Sequence, residues 1–339
     1  MQRDREFGTS VLLPVYFRQG ADQESRFLRR AIESVQRQTY PGPHEILIID
    51  DGSPTPIETL RMQIGPAELF ENVRFIRTSR NNGLVNALNF GLNESRYPFI
   101  ARMDHDDRWS PGKIAKQFAL FSADPDLSIS ATGMTLVDSS SKVLETHVRP
   151  GDWSGILNFF IDVGCPFPHG SVLARRDVWR LLGGYSHDPS TAHCEDYALW
   201  GIWLRFFKPA MVEEALYDYT VSDHSVSSAH RSQQASASGQ VNARFRALDP
   251  VQRVPASLMA LAEAFGISVL EAGKLAYSLW AFRMSVRAPV AAVSPLRQLM
   301  PDRIVMGHPD RDRSVVEVER LIGRPAPIEE RDAVRVQVL

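Results

Sequence analysis

Two cysteines in 339 residues, Cys165 and Cys194, exclude a disulfide framework, and no partner spacing around them makes a zinc site. A reducing, cytoplasmic setting fits that scarcity. Neither charge dominates: 38 Lys plus Arg stand against 40 Asp plus Glu, a formal net charge of −2, which argues against nucleic-acid binding driven by bulk charge. The opening residues MQRDREFGTS lack the apolar run of a signal peptide. The most apolar later stretch, LAYSLWAFRMSVRAPVAAV (275–293), is broken by Arg283, Arg287 and Pro289 and makes a poor membrane span. It suits a helix packed on the rest of the chain, or one lying along a membrane surface. No Gly-x-x-x-x-Gly-Lys-Ser/Thr loop occurs, which excludes a P-loop nucleotidase. What is present, 44% hydrophobic and 23% charged residues, is the composition of a packed core over one large domain or two smaller ones.

The patterning is that of an α/β protein. SVLLPVYF (10–17) reads as a buried strand ending near Pro14, and HEILIIDDGS (44–53), NVRFIRTS (72–79) and YPFIARMD (97–104) read as further strands. Between them, SRFLRRAIESVQRQ (25–38) and GLVNALNFGLNES (83–95) carry apolar residues at helical spacing. Apolar strands alternating with amphipathic helices predict a mostly parallel sheet covered on both faces, with ligands beyond the carboxyl ends of its strands. Ser110-Pro111 is expected to open a helix as N-cap and first residue. Further on, 127–148 predicts a hairpin turning at Ser139–Ser141, 153–163 a helix, and 169–185 a strand, a short helix and Gly183-Gly184. A helix over 195–206 and two strand-like pieces near Met211 and Tyr217 follow. The Ser-, Ala- and Gln-rich segment 222–240 reads as a linker, and the remainder as mostly helical.

The acids carry the chemistry. FIARMDHDDRW places Asp104, Asp106 and Asp107 at a strand end. In extended chain, residues i and i+2 share a side, so Asp104 and Asp106 converge while His105 points away. Two such carboxylates need a proton, an Arg or a cation, and Mg²⁺ or Mn²⁺ suits all-oxygen donors. Three acids in four residues are equally the composition of a solvated loop. Asp50-Asp51-Gly52-Ser53 suits a turn on a polar ligand or an ordinary Asp-Gly turn. Glu195 and Asp196 open a helix, where the dipole favours acids and where a general base is also well placed. His169 and His224 flank strands; taken singly, each reads as a structural histidine.

In order and spacing these segments, together with NNGLVNALNFGL, PFPHGSVLARRDVW, LGGY, EDYALW and YDYTVSDHSVS, resemble the family 2 glycosyltransferases of the GT-A fold. The resemblance covers residues 8–230 as the catalytic domain; 241–339 would be a helical extension serving as dimerisation element, acceptor cap or lid. It implies an inverting transferase that moves a sugar from a nucleotide donor, most often a UDP-sugar, to a hydroxyl of a saccharide or lipid-linked saccharide. Biosynthesis of a bacterial surface polysaccharide or glycolipid would be its setting. On this resemblance Pro14, Tyr16, Asp50, Asp51, Asn82, Asn89 and Asp104 bind the nucleotide. Asp106, with Asp104 and the late His224, holds Mn²⁺ or Mg²⁺. His169, Gly183, Gly184 and Asp107 shape the sugar side, and Asp196, beside Glu195, is the catalytic base. The protein would be cytoplasmic, with peripheral contact to the inner face of the membrane and homo-oligomerisation both compatible with the tail. A nucleotidyltransferase would need a Gly- and Arg-rich loop where PVYFRQGADQES carries one Gly. A catalytically inactive scaffold or nucleotide-sugar binding protein on this fold would have lost the acids, and Asp104, Asp106 and Asp196 are all present.

Overall fold

The computed structural model describes residues 7–18, 22–221, 231–247 and 254–285. Its first half is parallel and regular. β1 (Thr9–Val15), β2 (His44–Asp50), β3 (Val73–Arg77) and β4 (Phe99–Arg102) run in the order β3-β2-β1-β4, all parallel. Parallel neighbours need crossovers, and α1 (Asp22–Gln36) and α2 (Leu84–Glu94) supply two of them. Burial on both faces explains the unbroken apolar runs. Val11, Leu13 and Val15 pack with α1 on one face, while Leu12, Leu47, Ile49 and Ile100 pack with α2 on the other.

β1 runs one residue past Pro14 although it lies between two strands. The Leu12 carbonyl accepts from the Met103 N–H, so Pro14, two residues on, faces the same side as Leu12. Pairing with β4 stops at Leu12, so the proline's missing N–H falls where no strand remains to be paired.

The second half turns the sheet mixed. β5 (Arg108–Trp109), α3 (Lys113–Ala123), β6 (Ile129–Val137), β7 (Val143–His147) and α4 (Trp153–Asp162) follow. After them come β8 (Leu173–Arg175), α5 (Arg176–Leu181), α6 (Glu195–Phe206) and β9 (Pro209–Thr220). β8 pairs antiparallel with both β4 and β6, β9 pairs parallel with β6 and antiparallel with β5, and β7 forms the expected hairpin with β6. The two strand-like pieces near Met211 and Tyr217 are one strand. A register shift against Thr132 and Gly133 separates its apolar ends, with exposed Glu213 and Glu214 between them. α3 starts at Lys113, not at Ser110: Ser110 and Pro111 belong to a turn in which the Lys113 N–H bonds the Ser110 carbonyl.

The expected linker 222–240 is helical over its described part. α7 (Arg231–Ala247) buries Ala237, Val241 and Phe245, a four-residue repeat on one side, and Phe245 packs on Phe160 of α4 at 4.6 Å. α8 (Val254–Phe265) and α9 (Val269–Ser285) follow, and Tyr277 of α9 meets Phe206 of α6 at 5.5 Å. The described part of the apolar segment 275–293 therefore packs on the core, and no described helix is long and apolar enough to cross a membrane.

Candidate active site

Two sets of acids lie beyond the carboxyl ends of the parallel strands. The first belongs to β2. Asp50 is 3% exposed, and its oxygens accept from the N–H groups of Ser53 (2.8 Å) and Ile57 (3.1 Å) and from the Arg77 guanidinium. Asp51 accepts from Thr78 Oγ1 (3.0 Å) and from the N–H groups of Asn82 (3.1 Å) and Gly83 (2.8 Å), just ahead of α2. The turn between them needs glycine: Gly52 has φ +69°, and a Cβ there would lie 2.3 Å from the Arg80 carbonyl carbon. The Asn82 side chain accepts from Arg80 Nε, Pro14 is buried within β1, and Tyr16 stands half-exposed just beyond it.

The second set follows β4. Arg102, 3% exposed, grips Asp104 with both terminal nitrogens. Arg102 ends β4 and reaches Asp104 two residues on, but the chain then leaves the extended form: the Asp107 N–H bonds the Asp104 carbonyl at 3.3 Å across a tight turn, so the expected strand alternation does not relate Asp104 to Asp106. Burial works against the Arg102 charge, yet Asp104, Tyr217, Tyr185 and Asp107 together hold its pKa above the ordinary arginine value. Asp107 is engaged within the protein: its carboxylate takes the Tyr217 hydroxyl and the Thr220 N–H (2.8 Å), while Thr220 Oγ1 bonds the Asp106 carbonyl (2.6 Å). These contacts tie the acid turn to the end of β9. Burial, then repulsion from its neighbours Asp106 and Asp104, pushes the Asp107 carboxyl well up. Burial raises Asp106 too; His105 lowers it and Asp104 raises it. His105 itself lies against Phe17, 5.7 Å between centroids.

Glu195 and Asp196 are the first two residues of α6 and sit within electrostatic reach of Arg102. Burial, then Glu195, raises Asp196 to about 7, and burial raises Glu195. His169, in the turn before β8, places Nδ1 3.9 Å from Asp196 Oδ2 and Nε2 2.6 Å from the Tyr185 hydroxyl. Cys165 Sγ lies 4.0 Å from the same Asp196 oxygen. Gly183 and Gly184 both have positive φ. A Cβ on Gly184 would lie 2.4 Å from Asn89 Oδ1, because Asn89 clasps the next residue, accepting from the Tyr185 N–H (2.8 Å) and donating to its carbonyl (2.9 Å). The glycine pair thus lets the chain turn tightly enough for Asn89 to fix Tyr185 beside His169. Arg102, Tyr185 and Cys165 were not singled out by sequence; His224 lies outside the described residues.

Five carboxylates, from Asp104, Asp106, Asp107, Glu195 and Asp196, therefore surround one buried guanidinium. That excess of negative charge, and an all-oxygen donor pair in Asp104 and Asp106, suit a hard divalent cation. No group of three or more His, Cys, Asp or Glu side chains converges as a metal cage among the described residues.

Residues 10–181 match the family model described as Glycosyl transferase family 2. Among curated proteins, the chain is similar to the putative glycosyltransferase EpsE of Bacillus subtilis (strain 168), 30% identical over 200 residues, 57% of this chain and 67% of that one. It is 29% identical over 200 residues to the UDP-Gal:alpha-D-GlcNAc-diphosphoundecaprenol beta-1,3-galactosyltransferase of Escherichia coli, 56% of this chain and 66% of that one. Against the amylovoran biosynthesis glycosyltransferase AmsE of Erwinia amylovora it is 29% identical, covering 56% and 67%. The chain thus spans about two thirds of the length of each. Among solved structures, the mannosyltransferase PcManGT from Pyrobaculum calidifontis in complex with GDP-Man and Mn²⁺ shares the fold at a TM-score of 0.54 and 14% identity, covering 91% of this chain and 83% of that one.

Proposed function

Because the chain belongs to glycosyl transferase family 2, we propose that it is an inverting transferase. It moves a sugar from a nucleoside diphosphate, UDP in the first instance, to a hydroxyl of a saccharide or lipid-linked saccharide. The observation that carries this reading is the placement of Asp196: it opens α6, half-buried, with Oδ2 3.9 Å from His169 Nδ1, and burial and Glu195 raise its carboxyl to about 7. A base near neutral pKa can hold a proton taken from a hydroxyl and still be deprotonated for the next turnover. Asp196 takes the acceptor proton as that oxygen attacks the anomeric carbon opposite the leaving diphosphate, which inverts the centre. Asp106 and Asp104 would hold Mn²⁺ or Mg²⁺, which when bound neutralises the diphosphate. Arg102 keeps Asp104 oriented, and Tyr16, just beyond β1, and Asn82, between β3 and α2, line the nucleotide side. Asp50 and Asp51 act there through the loop they hold. The E. coli galactosyltransferase and AmsE point to a surface glycoconjugate as the acceptor class.

The test is release of nucleoside diphosphate from UDP-, GDP- and dTDP-sugars with Mn²⁺ present, by the wild type and by Asp196→Asn. Release from one donor class by the wild type, lost in the variant, is expected. Full turnover by the variant would remove Asp196 from the chemistry, and no release or binding of any donor would favour an inactive scaffold.

A further inference from the structure

Asp196 does not stand alone. His169 is nearly buried, its side chain 11% exposed, and packing fixes its ring: Trp200 meets it edge-on at 6.1 Å and Tyr185 lies 5.4 Å away. Tyr185 is itself fixed, by Asn89 through the backbone and by Trp179 at 5.7 Å. The ring's two nitrogens therefore have assigned neighbours. Nε2 faces the Tyr185 hydroxyl at 2.6 Å, and Nδ1 faces Asp196 Oδ2 at 3.9 Å.

We propose that His169 is a positioning residue for Asp196, its neutral ring fixed by the Tyr185 hydroxyl at Nε2 and presenting the Nδ1 proton to Oδ2. The inference rests on the reading of Asp196 as the base. A hydroxyl that donates to Nε2 leaves the one ring proton on Nδ1, the nitrogen that faces the carboxylate. Burial pushes the Tyr185 phenol well above its usual range, so its proton stays available to Nε2; burial and then the Arg102 charge push His169 well down, so the ring stays neutral. The 3.9 Å separation is about 1 Å beyond a hydrogen bond, and such contacts tighten when substrate closes a site. The contact would hold Oδ2, while Oδ1 takes the Tyr197 N–H at 2.8 Å. The charged and titratable groups around Asp196 are Glu195 and Cys194 on its own segment, Cys165 after α4, His169, Tyr185 after α5 and Arg102 at the end of β4.

The primary test needs no substrate. Imidazole ¹⁵N NMR of the full chain, with His169 assigned by loss of its signals in His169→Asn, reads the tautomer directly. The expected result is a neutral Nδ1–H ring between pH 6 and 8 whose Nδ1 signal moves in Asp196→Asn and whose tautomer shifts in Tyr185→Phe. An Nε2–H ring in the wild type, or an imidazolium, overturns the proposal. With an active donor, His169→Leu is expected to lower kcat about 10- to 100-fold, the range for groups that orient a reacting ligand from behind, with donor KM little changed. His169→Asn, whose amide nitrogen can take the place of Nδ1, should recover part of that loss. Equal losses in the two variants, both folded, would also overturn it. If the wild type turns over no donor, the function reading fails, and the tautomer still decides whether this pair is built.

Discussion

Asp50 and Asp51 end β2; Asp104 and Asp106 follow the end of β4, on the same edge of the same sheet. The β2 pair is closed. Ser53, Ile57, Arg77, Thr78, Asn82 and Gly83 direct donors at its two carboxylates. The β4 acids crowd one another around Arg102, and burial raises Asp106 and Asp107 while α6 adds two more carboxylates facing them. One acid pair builds a loop; in the other, Arg102 holds Asp104 while burial and Asp104 raise Asp106. The contrast separates two uses of residues that look alike: backbone and side-chain donors hold the β2 pair, whereas several acids share one guanidinium in the β4 set.

Breaking the open set should cost activity first. Asp196→Asn is expected to lose about 10²–10⁴-fold in turnover, the usual worth of a general base, with nucleotide affinity preserved. In the wild type, kcat should rise with pH through about 7, since the base must be deprotonated.

Breaking the closed set should cost the fold. Asp50→Ala leaves the buried Ser53 and Ile57 N–H groups without an acceptor and removes the Arg77 pair, for about 2–4 kcal/mol. The melting temperature should fall on the order of 10 °C, at about 2–4 °C per kcal/mol. A drop of a degree or less would show that the β2 network is not what holds this loop.

Asp196→Asn should also stabilise, and only at the higher pH. The folded carboxyl sits at about 7, above its unfolded value near 3.9, so its protonated form is the one the fold favours. Its contribution is complete below about pH 4 and is lost as pH rises through about 7. The neutral amide escapes that loss, so at pH 8 the variant should melt a few degrees above the wild type, and at pH 4 level with it. Equal melting at both pH values would mean that the carboxylate is not electrostatically strained.

Much of this was legible in the sequence, for stated reasons. Both faces of β1, β2 and β4 are covered, so their apolar runs were readable; period-two pairing of Asp104 and Asp106 holds only in extended chain, whereas β4 ends at Arg102 and a turn carries these acids. Arg102 closes that strand, but a single arginine after Ile100 and Ala101 gives no hint of which acid it grips. The closure of Asp50 and Asp51 was hidden because most of their partners lie 27 or more residues away, on or just after β3 and ahead of α2. β9 looked like two strands because its centre carries exposed glutamates, and α7 looked like a linker because Ser, Ala and Gln mask a spaced trio of buried residues. The Asn89–Tyr185–His169 support was invisible for the same reason as the β2 network: 96 residues separate Asn89 from Tyr185.

The most direct test of the contrast is calorimetric titration of UDP, GDP and dTDP into wild type, Asp106→Asn and Asp51→Asn, each with and without Mn²⁺ and below the melting temperature measured for each variant. The account predicts Mn²⁺-dependent binding of one nucleotide by the wild type. That metal dependence should be lost in Asp106→Asn and kept, with weaker affinity, in Asp51→Asn. Binding by Asp106→Asn that matches the wild type in affinity and in Mn²⁺ dependence would contradict it.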